Sequence, residues 1–122
     1  MTTETAKHRL LIGCRKPQKL IVMSTDSGKV LADLPIGDHV DAVKIDNGQI
    51  FASCADGTLA SAGENSPGKF AIVETVKTPK GARTMGMDPT THRIYLPTAE
   101  PAGGAGANKP GNFIIAVVSP NA

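Results

Sequence analysis

Six charged or titratable side chains, placed between short apolar runs or at their ends, are the residues of this chain best suited to chemistry. Two of them are arginines, whose planar guanidinium groups present several N–H donors and can bind an anion. One is a histidine two positions before an aspartate, a pairing that suits a general base or a metal ligand. These candidate ligand-binding residues are Arg15, His39, Asp41, Asp56, Arg83 and Glu100.

Metal binding and catalysis both find little support in the pattern. The histidines His8, His39 and His92 show no spacing typical of metal ligands. No serine lies in a Gly-x-Ser-x-Gly context, and the glycine-rich stretch lacks the flanking strand and helix of a phosphate-binding loop. We therefore expect no metal, no cofactor and no catalytic residue, with His92 as a turn residue packed near Asp88 or Tyr95.

Length and composition indicate a single globular domain without the features of a nucleic-acid or membrane protein. The chain has 122 residues, 40% of them hydrophobic, and a net charge of +2. That is enough chain for one domain, and the small net charge gives no electrostatic footprint for nucleic acid or an anionic membrane. Three Phe, one Tyr and no Trp also disfavour stacking on single-stranded nucleic acid. No run reaches the length of a membrane-spanning helix.

Short β-rich runs separated by turn residues dominate the sequence and predict an all-β fold. The clearest hairpin is Asp46-Asn47-Gly48-Gln49, because Asn-Gly accepts the positive φ that tight hairpins need. No window shows the periodicity of an amphipathic helix. The expected strands are residues 9–13, 20–24, 29–34, 41–46, 49–53, 58–62, 70–76, 84–88, 92–96 and 112–118.

The runs repeat with a period near 40 residues. Leu10-Leu11-Ile12-Gly13-Cys14 aligns with Ile50-Phe51-Ala52-Ser53-Cys54, and Gly28-Lys29-Val30 aligns with Gly68-Lys69-Phe70 at the same offset. Four strands in about 40 residues is the size of a β-propeller blade. We therefore expect a partial β-propeller of about two and a half to three four-stranded antiparallel blades, formed by residues 9–35, 41–77 and 82–118.

The remaining segments are expected to be irregular. Residues 1–8 predict a disordered N-terminal segment, residues 97–111 a flexible Gly/Ala/Pro loop, and residues 119–122 a tail. With the strands of a blade lettered a to d from the central channel outward, the first blade lacks strand a. The third blade lacks strand d.

The repeat resembles the YVTN family of β-propeller repeats, relatives of the NHL and lactonase-like propellers. The matching pattern is a strand that ends in Asp26, then Gly28-Lys29-Val30 into the next strand, then a Pro35-Ile36-Gly37 turn. Residues 81–100 are similar to the last blade of such bacterial proteins. The resemblance implies a C-terminal piece of a larger ring, with full-length relatives that are exported or periplasmic. The polar opening of this chain lacks a signal peptide, so as written we expect it in the cytoplasm.

In a propeller the d–a and b–c loops share one face around the channel mouth. The six candidates would then form a mixed-charge rim for a small polar or anionic ligand, or would merely solvate loop tips. Asp41 and Arg83 could pair across the channel wall. Cys14 and Cys54 hold equivalent places in neighbouring blades, about 10 Å apart, which exceeds disulfide reach, so we expect two free thiols.

The favoured function is a non-catalytic binding or scaffold module, a fragment of a larger YVTN-like propeller. The alternatives are a fragment of a lactonase-like or quinoprotein-like propeller enzyme, and a single-stranded DNA-binding propeller. An open stack leaves its end faces bare, and we expect Leu20, Ile21, Val22 and residues 114–118 to face solvent. Such faces predict association with the missing blades, or self-association into a ring.

Overall fold

The computed structural model describes residues 1–46, 48–66, 69–81, 84–99 and 113–119. These ranges form an all-β structure of three antiparallel sheets, as the runs predict. The only helical turn in this part of the chain is a 3₁₀ turn at Thr5–Lys7. No helix within the same ranges is long and apolar enough to cross a membrane.

The first sheet has four strands in chain order, joined by short turns. Each strand runs antiparallel to the one before it, so the sheet is a meander. Its strands are β1 (Thr2–Glu4), β2 (Arg9–Cys14), β3 (Lys19–Ser24) and β4 (Val30–Pro35).

The second sheet repeats this meander with longer strands. The predicted hairpin is confirmed, because Asp46 pairs with Gln49 and Gly48 has a φ of 81°, the left-handed conformation that glycine adopts without strain. Its strands are β5 (Val40–Asp46), β6 (Gln49–Cys54), β7 (Thr58–Ser66) and β8 (Lys69–Lys77).

Within the described residues the third sheet has three strands, in the order β9–β10–β11. Its first strand is shorter than the expected 84–88. Its strands are β9 (Gly86–Met87), β10 (Ile94–Ala99) and β11 (Phe113–Val118).

The middle sheet is covered on both faces, which explains why its strands are apolar on both sides. Successive side chains of a strand point to opposite faces, so Ile50 and Ala52 of β6 pack toward the first sheet and Phe51 toward the third. The first interface is centred on Leu11, Leu20, Val22, Val40, Val43, Ile50, Ala52, Cys54, Ala60 and Ala62. The second is centred on Leu59, Met85, Ile94 and Leu96.

The N-terminal segment differs from the expectation of disorder over residues 1–8. Thr2 pairs with Leu11 and Thr3 with Leu10, so β1 supplies the first strand that the first blade was expected to lack. The free edge of β2 would otherwise expose unpaired backbone groups, and β-branched threonines suit an extended strand. The first sheet therefore has four strands.

The segment after β9 also differs from its predicted boundaries. Residues 97–99, placed in the flexible loop by the sequence, belong to β10, and Pro97 pairs with Ile115 of β11. The rest of that loop, residues 100–111, lies outside the described residues. Of the predicted tail, Ser119 is described and follows β11 directly.

Candidate functional site

One end of the stack, where β5 begins, gathers four of the six predicted site residues. They come from three connections: the β2–β3 turn, the start of β5 with the residue before it, and the β6–β7 turn. Three of them line a cavity of about 110 Å³ together with Ala55, which is room for a few water molecules. We name this group the rim cluster; it consists of Arg15, His39, Asp41 and Asp56.

Arg15 ties the first sheet to the second. Its Nη2 donates to Oδ1 of Asp41 at 2.8 Å, and its Nε donates to the carbonyl oxygen of Val40 at 3.1 Å. Arg83, the expected partner of Asp41, lies outside the described residues. The charge of Arg15 is therefore already matched by a carboxylate, which leaves less of it for an anionic ligand.

Asp56 braces two loops. Its carboxylate accepts from the amide of Asp38 at 2.8 Å and from the hydroxyl of Thr58 at 2.6 Å. Burial raises the pKa of Asp56, but these hydrogen bonds outweigh it, so the pKa lies below its ordinary value. Gly37 makes the approach possible, because a Cβ there would lie 2.6 Å from Oδ2 of Asp56.

His39 has its backbone fixed and its ring in solvent. Its φ is 57°, and its carbonyl oxygen accepts from the amide of Ala55 at 3.0 Å. The imidazole is exposed, with Nδ1 3.2 Å from Oδ1 of Asp38. Gln18 also donates to that Asp38 oxygen at 2.9 Å. Sequence reasoning missed Asp38, although its place in a Gly-Asp-His turn is a typical position for local hydrogen bonding.

The other predictions about reactive groups divide into tested and untested ones. Arg83 and Glu100 lie outside the described residues. The prediction of two free thiols is confirmed for Cys14 and Cys54. Burial raises the pKa of Cys54, and the hydrogen bond with Thr58 offsets this only in part. In the described ranges no three His, Cys, Asp or Glu side chains form a group that could hold a metal ion.

A larger cavity, of about 540 Å³, lies between the second and third sheets. We name it the inter-sheet cleft. Its apolar wall consists of Phe51, Leu59, Val76, Ile94 and Val118. Its polar groups are Asp46, Gln49, Ser61, Glu74, His92 and Ser119. Sequence reasoning singled out none of these as a site.

His92 and Asp46 contact each other in the lining of the inter-sheet cleft. Nδ1 of His92 lies 2.5 Å from Oδ2 of Asp46, which joins the β9–β10 turn to the end of β5. The backbone of His92 does lie in a turn beside Asp88, since its amide donates to the Asp88 carbonyl oxygen at 2.7 Å. The side chain, however, reaches across to the neighbouring sheet. The predicted turn position is therefore right, and the partner of the ring is Asp46.

Comparisons with known proteins leave this geometry to be interpreted from its own chemistry. No protein-family model matches the chain, and no curated protein matches it.

Proposed function

We propose that the chain is a non-catalytic binding or scaffold module, part of a larger β-propeller built from YVTN-like repeats. Its three antiparallel sheets follow one another along the chain as meanders, with Cys14 and Cys54 at the ends of equivalent second strands. Propeller blades have this strand order and pack on their neighbours through both faces. The observation that carries the proposal is the pair of apolar faces left open at the two ends of the stack.

The first end face is the outer surface of the first sheet. Directly opposite residues of an antiparallel pair share a face, so Leu10 lies beside Met23 and Ile12 beside Ile21. All four are half-buried. Val30, paired with Met23 across the sheet, is 55% exposed. These residues form an apolar patch on this side of the stack, beside the ion pair of Lys19 with Asp33, which lies opposite Ile21.

The second end face is the outer surface of the third sheet. Ile115 is 54% exposed and Val117 is 52% exposed. They lie opposite Pro97 and Tyr95 in the register of β10 and β11. The edge of β11 is also the end of this sheet within the described residues.

Some of the residues that were predicted to lie on these faces point inward instead, because side chains alternate along each strand. Leu20 and Val22 were expected to face solvent, but both are fully buried against the second sheet. In β11 the expectation covered every residue from 114 to 118, whereas Ala116 and Val118 pack inward. Only alternate residues of each strand point outward, because the inner face of each terminal sheet forms the core.

These two faces favour coverage by further sheets. Each Å² of apolar surface removed from water is worth about 25 cal/mol, and large exposed apolar patches mark interaction surfaces. In the proposal, the missing blades or copies of this chain cover both faces and close a ring. The rim cluster then lies on one face of that ring, with the His39 imidazole as its most accessible group for a polar ligand or a protein partner.

Sedimentation equilibrium over a range of concentrations tests the proposal. We expect the chain to associate, and the double variant Ile115→Lys with Val117→Lys to be monomeric, because the charges would be buried at the new interface. Val73→Lys is the matched control, since Val73 is an exposed apolar residue of β8 away from both end faces. Circular dichroism verifies that each variant is folded. A wild-type chain that stays monomeric at every concentration contradicts the proposal.

A further inference from the structure

We propose that the inter-sheet cleft binds a small organic cation, an amine carried on an apolar body. At about 540 Å³ the cleft falls within the range of about 300–1,000 Å³ that small-molecule sites occupy. It lies between two sheets of this same chain, so the proposal is separate from ring closure and from the rim cluster. Three features carry it: the apolar wall, a hydroxyl that opens into the cleft, and the charge of the lining.

The apolar wall is part of the packed core between the second and third sheets. Leu59 of the second sheet and Ile94 of the third are almost completely buried, and both belong to the core that holds these sheets together. Phe51 and Val118 pack against the same core. A preformed apolar wall of this kind contacts the hydrocarbon part of a ligand without rearrangement.

Ser61 supplies a polar group aimed into the cleft. Ser61 as a whole is only 6% exposed, and it lines the cleft. Its hydroxyl makes no hydrogen bond within the described part of the chain. Every fully enclosed side-chain nitrogen or oxygen among the described residues has a partner, so the Ser61 hydroxyl must open into the cleft. A ligand atom in the cleft can therefore reach this hydroxyl, which both donates and accepts hydrogen bonds.

Glu74 supplies the charge. It lies directly opposite Ser61 in the register of β7 and β8, so the two side chains share a face about 5 Å apart at Cβ. Within the described residues the Glu74 carboxylate has no ion pair and no hydrogen bond. One ammonium group could donate to both the Ser61 hydroxyl and this carboxylate, since it has three N–H donors.

The rest of the lining has the same preference for a cation. Asp46 is a second carboxylate, and no Lys or Arg side chain lines the described part of the cleft. The contact between His92 and Asp46 joins the two sheets beside the cleft. Because Asp46 is already in contact with His92, Glu74 is the carboxylate left to repel an anionic ligand and to attract an amine.

Titration of isotope-labelled protein with three probes of one shape tests the proposal: phenethylamine, phenethyl alcohol and phenylacetate. We expect phenethylamine to bind saturably, with amide shifts concentrated at Ser61, Glu74 and Ile94. The amine can form a charge-assisted hydrogen bond that the alcohol cannot, so we expect the affinity for phenethyl alcohol to be lower by about tenfold or more. Phenylacetate should not bind. Equal affinity for the three probes, or no saturable binding of the amine, overturns the proposal.

Substitutions then locate the binding group. Glu74→Gln keeps the shape and removes the charge, and we expect it to weaken phenethylamine binding about tenfold with little effect on phenethyl alcohol. Asp33→Asn is the matched control, because Asp33 is an exposed carboxylate on β4 of the first sheet, and it should leave both affinities unchanged. Wild-type affinity for the amine in Glu74→Gln, or an equal loss in Asp33→Asn, would falsify the assignment.

Discussion

The two interfaces within the stack are filled to different degrees. Between the first and second sheets, Leu11, Leu20 and Val22 are fully buried, and the cavity at the rim cluster has about 110 Å³. Between the second and third sheets the core formed by the described residues is smaller, and the cleft beside it has about 540 Å³. The first interface is built for stability, whereas the second keeps space that a ligand can enter.

Polar contacts follow the same division. Across the first interface, Arg9 forms a two-pronged ion pair with Glu64, with distances of 3.0 and 2.7 Å, and its guanidinium lies 4.9 Å from the centre of the Phe70 ring. Across the second, the described contact is between His92 and Asp46. Close packing and a semi-buried ion pair therefore coincide on one side of the middle sheet.

Truncating a leucine on each side should give the largest difference. Leu20→Ala opens a cavity inside the filled interface and should lower the free energy of unfolding by about 3–5 kcal/mol. Leu59→Ala only enlarges the existing cleft, so we expect about 2–3 kcal/mol. Urea denaturation followed by circular dichroism measures both. Equal losses would show that the two interfaces are equally well packed.

The ion pair tests the polar half of the comparison. Arg9→Ala leaves a mostly buried Glu64 carboxylate without its bidentate partner and should cost about 2 kcal/mol in the free energy of unfolding. The control is Lys19→Ala, which breaks the exposed pair with Asp33 at 3.0 Å and should cost less than about 1 kcal/mol. A loss no larger than that of the control would mean that Arg9 contributes little to joining the sheets.

Two glycines allow a comparison of space alone. A Cβ at Gly13 would lie 2.8 Å from Cγ2 of Val40 in the second sheet, whereas a Cβ at Gly86 in β9 meets nothing within 4 Å. Gly13→Ala should therefore lower the unfolding free energy by about 1–2 kcal/mol through overpacking, and Gly86→Ala should leave it nearly unchanged. Thermal melts of the two variants provide the measurement. Reversed effects would contradict the close approach of β2 and β5.

The thiols give the smallest effect, a difference in rate without a change in stability. Cys54 is fully buried in the first interface, and its raised pKa leaves less reactive thiolate at any given pH. Alkylation with iodoacetamide, read by mass spectrometry, should modify Cys14 first and reach Cys54 only at higher pH or after unfolding. Modification of both at the same rate would argue against a closed interface.

The strands were predictable because each is short, apolar and bounded by turn residues, as the Asp46–Gln49 hairpin shows. Strand β1 was not, because Thr2-Thr3-Glu4 carries no alternating apolar pattern and becomes ordered only by pairing with β2. The propeller itself stays a prediction, since an open stack of three sheets fits it and also fits other all-β arrangements.

Some residues of the candidate sites could likewise be predicted from the sequence, and others could not. Arg15, His39 and Asp41 could be brought together from the sequence, because Arg15 and His39 lie in connections and Asp41 at the start of a strand, all at one end of consecutive sheets. Ser61 and Glu74 could not, because their shared face depends on the β7–β8 register, which a bulge shifts between Ser61 and Ala62. The contact between His92 and Asp46 depends on how two sheets dock, which no local pattern encodes.

The meander order of the strands has a consequence for synthesis on the ribosome. Each described sheet is formed by one continuous region of the chain, so the first can pair its strands before those of the second have emerged. The second then has a completed surface on which to fold, and the third has the outer side of the second. If the sheets assemble one at a time from the N-terminus, most strand pairs form between segments that are close together in the sequence. A gene could lengthen such a protein by duplicating a single segment, because the existing sheets would need no new partners within themselves.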